Sequence, residues 1–264
     1  MKIYVISLSD ALDRRGYISA RLNSQNLEFE FFNALSGNGG YEPYFAAYSP
    51  SRYLLNTGRL AAPGEIGCYA SHRAVWKKCV LLNEPILIAE DDAVFSDRFS
   101  SAINQVEGLI RQYGFIRLET VDRHPRRWKL RIKGHKLVEK RGDSGIHYVS
   151  RMSLCATCYA ISPLVAAAFL SKSHCLTEPV DKFIQKNWVH KQPLYAFVPP
   201  VVRQADLSGD SSIDQDRASA KRLPLIGIPR FVWKVIEHTR RLSFNLSHNR
   251  LKKAPLSARL SATR

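Results

Sequence analysis

Apolar runs of strand length alternate along this chain with stretches of helical period. Lys2 to Leu8 is nearly all apolar and stops at Ser9-Asp10, which predicts a strand followed by a helix start. Asp10 to Gln25 suits a polar helix, and Phe29 to Ala34 a second strand. Within Glu65 to Leu82, apolar residues from Ile66 and Tyr69 to Trp76 and Cys79 recur at helical spacing. Pro85 to Ala89 is a wholly apolar strand that runs into Glu90-Asp91-Asp92. Phe99 to Tyr113 reads as an amphipathic helix and Phe115 to Glu119 as a strand. Cys155 to Ser162 follows as a strand, with a helix over Pro163 to Ser171 that has proline in its first turn. A helix over Pro179 to Trp188 and a last strand over Leu194 to Val198 complete the series. Ser36 to Pro63 is dense in Gly, Asn, Pro and Tyr and reads as a long functional loop. The alternation predicts an α/β fold, with one mixed, mostly parallel sheet flanked by helices.

Charge changes this picture. The 264 residues carry a net charge of +16, and it is unevenly spread. Arg217 to Arg264 holds twelve Lys or Arg against the single acid Glu237, and Arg123 to Arg141 holds nine against Glu139. The rest of the chain sums to −3. The expected organisation is therefore a catalytic body over 1–216, a basic hairpin insertion at about 123–141, and a basic C-terminal tail over 217–264. The period-two alternation Trp128-Lys129-Leu130-Arg131-Ile132-Lys133 suggests the half-exposed hairpin. Such basic appendages fit nucleic acid, an anionic membrane or a phosphorylated substrate. In the tail, Ile228, Phe231, Val232, Trp233 and Val235 interleave with Arg230, Lys234, Arg240 and Arg241, as in helices lying in a membrane interface. The competing reading is a helix packed on the body with its charges solvated. Leu251 to Arg264 is expected to be disordered.

Five cysteines, an odd and sparse count, make no disulfide framework. Cys155 and Cys158 form a C-x-x-C, but it lies in a strand-like stretch with no second pair, so we read both as structural. The apolar run Ile3 to Leu8 is too short for a signal peptide. Leu154 to Leu170 is broken by Ser162-Pro163, whereas a bilayer span needs about 20 mostly apolar residues. The expected location is cytoplasmic.

The chemistry concentrates at Glu90-Asp91-Asp92, at the carboxyl end of an apolar strand, where open α/β sheets bind ligands. Three adjacent carboxylates raise one another's pKa unless a cation compensates, and hard oxygens suit Mg²⁺ or Mn²⁺. An acidic surface turn is the alternative. Just upstream stands Gly64-Glu65-Ile66-Gly67-Cys68-Tyr69-Ala70-Ser71-His72, and before it Val5-Ile6-Ser7-Leu8 with Arg14-Arg15. Over roughly residues 1–215 this set resembles the family 25 glycosyltransferases of bacterial lipooligosaccharide assembly and their collagen-modifying relatives.

The resemblance implies a GT-A fold, a UDP-sugar donor (most often UDP-galactose), a divalent metal and inversion at the anomeric carbon, with β-1,4 transfer favoured. The family's Asp-x-Asp-type motif falls on Glu90, Asp91 and Asp92, here three consecutive acids rather than a separated pair. Asp92, with Asp91, would bind the metal, and Glu90 would face the ribose or the metal's waters. Ser7, Leu8 and Arg15 follow the first strand, where the nucleotide would lie, and Arg15 is either a phosphate ligand or an exposed helix residue. His72 is a candidate for donor or acceptor contact because of the block it sits in.

An inverting transfer needs a base. Asp181 is the first candidate, its alternative role being a helix N-terminal acid; Glu119 and Asp122 are rivals. Gln204, Ser211 and Ser212 resemble the family's late loop. The expected partners are a UDP-hexose, a lipooligosaccharide acceptor and the anionic inner face of the bacterial inner membrane, not nucleic acid. Two competing functions stand beside this one: a basic nucleic-acid-binding protein, and an inactive relative that only binds glycan.

Overall fold

The computed structural model describes residues 1–119, 135–150, 152, 154–205 and 227–251. Its centre is an eight-stranded sheet built from β1 (Lys2–Ser7), β2 (Glu30–Asn33), β4 (Ile86–Glu90), β6 (Phe115–Arg117), β7 (His135–Arg141), β8 (Ser144–Val149), β9 (Cys158–Ile161) and β11 (Tyr195–Val198). The strand order is β2-β1-β4-β9-β6-β11-β8-β7. Helices α1 (Leu12–Asn23), α2 (Pro50–Thr57), α3 (Pro63–Leu82), α4 (Phe99–Glu107), α5 (Ile110–Tyr113), α6 (Pro163–Lys172), α7 (Val180–Gln185) and α8 (Asn187–His190) occur along the chain. Short strands β3 (Ala47–Tyr48) and β10 (Cys175–Leu176) pair with each other, as do β5 (Ala93–Phe95) and β12 (Val202–Gln204). The chain ends, within the described residues, in α9 (Gly227–Leu251).

Both faces of the sheet are covered, which explains why its central strands read as continuous apolar runs. Tyr4 and Ile6 of β1, with Ile86 and Ile88 of β4, join one core together with Tyr69 and Trp76 of α3, Phe169 of α6 and Phe183 of α7. The alternate residues Ile3, Val5, Leu87 and Ala89 join a second core with Ile18 and Leu22 of α1 and Phe99 and Val106 of α4. The period-two pleat thus sends successive side chains into two different cores.

The sheet is mixed, not mostly parallel in its pairing. β1 pairs in parallel with β2 and β4, and β6 with β11. β9 lies antiparallel between β4 and β6, and β8 antiparallel between β11 and β7. Apolar alternation cannot distinguish these directions, because a central strand is buried on both faces either way.

The hairpin also differs from expectation. Its arms are β7 and β8, turning at Gly142, whose φ of +57° lies in the left-handed region. His135 to Arg141 is therefore a first arm, and the second lies beyond the basic segment. Trp128 to Lys133, where the alternation is clearest, falls outside the described residues. The expected long loop at 36–63 contains α2, and the helix expected over Phe99 to Tyr113 stops at Glu107, with α5 starting again at Ile110.

A candidate functional site at the carboxyl edge of the sheet

From β1 the chain passes outward to β2, then returns across β1 to β4. The carboxyl ends of β1 and β4 therefore flank a topological switch point, the place where open α/β sheets leave a crevice for ligands. Register aligns Ser7 with Asn33 and Ile6 with Glu90, so Ser7, Asn33 and the acidic run share one edge.

The three acids have different surroundings. Asp91 receives a hydrogen bond from Ser7 Oγ at 2.7 Å and an ion pair from Arg14 at 3.1 Å. Burial still raises its pKa above the usual carboxylate range, against those two contacts. Asp92 accepts a hydrogen bond from Gln204 Nε2 at 2.7 Å on one oxygen, while its buried Oδ1 has no partner among the described residues. Burial first, and the neighbouring charge of Glu90 second, push Asp92 up to about 8. Glu119, just after β6, is held by Arg117 and by the backbone N–H of Cys158 at 2.6 Å. Its charge adds to the repulsion at Asp92. Desolvated like charges with an unpartnered oxygen are costly unless a cation compensates, and the hard oxygens present suit a divalent ion. The donor set therefore fits Mg²⁺ or Mn²⁺ at Asp92, with Asp91 beside it.

Helix α3 delivers the upstream motif to this edge. A Cβ on Gly67 would lie 2.3 Å from the carbonyl oxygen of Leu35, so only glycine lets the chain at 35–37 cross here. Ser71 Oγ accepts the Leu35 N–H at 2.8 Å. Glu65 is buried, paired with Arg59 and hydrogen-bonded by Tyr53 Oη at 2.8 Å, which ties α2 and the turn after it to the start of α3. His72 is fully buried. Its Nε2 lies 3.0 Å from Glu90 Oε1, and its Nδ1 lies 2.8 Å from Tyr159 Oη, which itself accepts from Trp76 Nε1 at 2.8 Å. One order of donation satisfies every group: Trp76 to Tyr159, Tyr159 to His72 Nδ1, and His72 Nε2–H to Glu90. His72 thus reaches the crevice through Glu90, not by its own surface.

The family model for glycosyltransferase family 25 (LPS biosynthesis protein) matches residues 1–184, which span β1 through most of α7. The chain belongs to glycosyltransferase family 25. A lipooligosaccharide biosynthesis protein of Haemophilus influenzae, lic2B, is 34% identical over 107 residues, 40% of this chain and 39% of that protein. Procollagen galactosyltransferase 2 of Mus musculus is 26% identical over 143 residues, 52% of this chain and 21% of that protein. The human protein named inactive glycosyltransferase 25 family member 3 is 25% identical over 195 residues, 69% of this chain and 31% of that protein. The matches thus span less than half the length of each of these relatives.

Within this family 25 chain, the remaining predicted residues fall as follows. Arg15 donates to the Ser7 carbonyl at 3.0 Å and to Asn33 Oδ1 at 2.6 Å, and its guanidinium lies over Phe31. It ties the ends of β1 and β2 together. Leu8 is exposed at the same edge. Asp181 lies in the first turn of α7, accepts the Lys182 N–H at 2.7 Å, and is near enough for its charge to raise the pKa of Arg117. Both readings of Asp181 therefore remain compatible with its position. Glu119 is buried as the partner of Arg117, so its carboxylate does not reach solvent. Asp122, Ser211 and Ser212 lie outside the described residues.

Sequence reasoning missed Arg117, Tyr159 and Arg14 as members of the site. Arg117 carried a signal, since an arginine inside the apolar strand Phe115 to Leu118 demands a buried counterion. Tyr159 carried none.

Proposed function

We propose that this chain is a metal-dependent inverting glycosyltransferase of GT-A type that moves a hexose, galactose from UDP-galactose foremost, onto a lipooligosaccharide acceptor in β-1,4 linkage. The observation that carries the reading is the acidic run at the β1/β4 switch point in a family 25 chain. The relatives support the substrates: one is a lipooligosaccharide biosynthesis protein and another a procollagen galactosyltransferase. Asp92 and Asp91 would hold the divalent cation, Asp92 with a buried oxygen that has no partner among the described residues. When bound, such a cation neutralises charge growing on the departing diphosphate.

The chain's own residues supply the rest. Ser7 and Arg14 fix Asp91, Gln204 fixes Asp92, and His72 fixes Glu90, so three carboxylates stay in place beside one another. Leu8 borders the nucleotide crevice, with Arg15 bracing its floor. Asp181 takes the proton of the acceptor hydroxyl as general base. Glu119 is unsuited to that role because Arg117 and the Cys158 amide already occupy its buried carboxylate.

The test is release of UDP from a panel of UDP-sugars with and without Mn²⁺, in the presence of lipooligosaccharide. We expect turnover with UDP-galactose that needs the metal, and a rise in melting temperature on adding UDP with Mn²⁺. A chain that binds glycan, shows no turnover and gains no stability from UDP would instead be an inactive relative, a reading kept alive by the human protein so named.

We further propose that α9 rests on the anionic inner face of the bacterial inner membrane, with the body on the cytoplasmic side. Its inward side is mostly polar: Arg230 donates to the Thr57 carbonyl, Trp233 to Asn56, Glu237 pairs with Lys186, and Asn245 is buried between Tyr148 and Asn187. Its outward side carries Ile228, Phe231, Val232, Val235, Leu242 and Leu246 on one stripe, with Phe231 68% exposed. A helix held by its polar side leaves an apolar face that water disfavours. The surrounding basic excess repels a second copy bearing the same charge and is attracted to anionic lipid by about 1 kcal/mol per basic residue near the surface. No described helix is long and apolar enough to cross a membrane. Replacing Phe231, Val235 and Leu242 together by Ser should reduce flotation with phosphatidylglycerol vesicles at least tenfold, with the melting temperature unchanged. Undiminished flotation would remove the anchor.

A further inference from the structure

Cys68 and His72 stand four residues apart on α3, one above the other on the side that faces the end of β4. Cys68 Sγ lies 3.7 Å from Glu90 Oε1, and His72 Nε2 lies 3.0 Å from the same oxygen. One sulfur, one imidazole nitrogen and one carboxylate oxygen all fall within 4.8 Å of one another. We infer that Cys68, His72 and Glu90 form a second cation site, one for a borderline-soft divalent ion such as Zn²⁺.

Ligand chemistry separates this site from the oxygen cluster at Asp92. Thiolate and imidazole select zinc and similar ions, whereas Mg²⁺ and Mn²⁺ prefer oxygen alone. Bonds of about 2.0 Å to nitrogen or oxygen and 2.3 Å to sulfur put tetrahedral ligands roughly 3.3–3.6 Å apart. The separations of 3.0 and 3.7 Å from Glu90 Oε1 straddle that range and the sulfur lies within 4.8 Å of the histidine nitrogen, so rotamer-scale side-chain shifts close the site. The ring of His72 is already oriented, because it stacks on Tyr159 at 18° and its Nδ1 is engaged by the tyrosine hydroxyl. Metal-bound histidines are positioned in this way, by a partner on the other ring nitrogen. His72 is fully buried behind the site, while Cys68 and Glu90 are only half-buried, so an ion enters from the crevice. Three protein ligands leave a fourth position for water. Binding displaces the thiol proton into solvent and moves the imidazole proton from Nε2 to Nδ1, where it faces Tyr159 Oη.

The consequence is regulatory. Glu90 cannot serve the donor crevice while it ligates an ion between Cys68 and His72. The inference about binding stands without the proposed activity, since each test below reads the ion itself.

Co²⁺ replaces Zn²⁺ as a visible probe. Titration of the full chain should saturate at one thiolate-bearing ion, with sulfur-to-cobalt charge-transfer absorption that Zn²⁺ abolishes and excess Mg²⁺ does not. Cys68→Ser should remove that absorption, and Asp92→Asn should keep it. In the unaltered protein, Zn²⁺ should slow alkylation of Cys68 at least tenfold while leaving that of the half-buried Cys175 unchanged, as read by peptide mass spectrometry. Cobalt binding without the thiolate band, loss of the band in Asp92→Asn, or alkylation of Cys68 at an unaltered rate would each overturn the inference.

Discussion

Replacing Asp92 by Asn is expected to remove at least 99% of sugar transfer while leaving the metal-free protein as stable as before, or more so. The two effects have one cause. Asparagine keeps an oxygen for the Gln204 amide at the same place, so the contact that positions the side chain survives. It removes a buried charge that burial and Glu90 already disfavour, as the upward displacement of Asp92 to about 8 records. Relief of that repulsion favours the folded chain. The same charge is what a divalent cation needs, and a hundredfold fall in rate corresponds to about 2.7 kcal/mol of lost transition-state stabilisation. Mn²⁺ with UDP should raise the melting temperature of the unaltered protein and fail to raise that of the variant. Asp92→Asn with full metal-dependent turnover would remove Asp92 from the metal site. A large drop in its melting temperature would show that the carboxylate is structural.

Much of the architecture was legible because burial on two faces leaves a simple mark. Strands β1 and β4 are uninterrupted apolar runs, and each ends within a residue or so of where the sequence places it. The motif Gly64 to His72 was legible as a block, but its internal division of labour was not. Gly67 is there for backbone approach, Glu65 to anchor a loop, and Cys68 with His72 to face Glu90. Glu65, Cys68 and His72, at i, i+3 and i+7, share one side of the helix and Gly67 lies on another, and spacing alone does not say which side meets the sheet. Strand direction was equally hidden, since β9 inserts between β4 and β6 from far along the chain. Arg117 and Glu119 sit two residues apart on the sequence and form one buried pair. Read singly, Glu119 was a rival base; its neighbour explains why it is occupied. The tail's composition indicated an amphipathic helix, but only packing reveals that the polar side is the one turned inward.

Lys186→Ala is expected to destabilise the protein by about 3–5 kcal/mol, because it strips a buried cation that bridges two acids. Lys186 is buried at the start of α8 and bridges Glu178 and Glu237, the second at 2.7 Å, with its ammonium also donating to Asn56 Oδ1 at 3.0 Å. Glu178 is itself buried, and its pKa is raised by burial despite the lysine. Without Lys186 two carboxylates from separate elements face each other in a desolvated pocket. One of them, Glu237, belongs to α9, so the loss should appear first as loosening of that helix. The melting temperature should fall by roughly 10 °C, given 2–4 °C per kcal/mol for a chain of this size. Hydrogen exchange should quicken across 227–247 more than across β1 and β4. Adding Glu178→Gln and Glu237→Gln to the lysine variant should recover most of the loss, because uncharged groups remove the repulsion that the lysine had balanced. A single variant that melts with the unaltered protein, or a triple variant no more stable than the single one, would show that charge balance is not what holds α9 to the body.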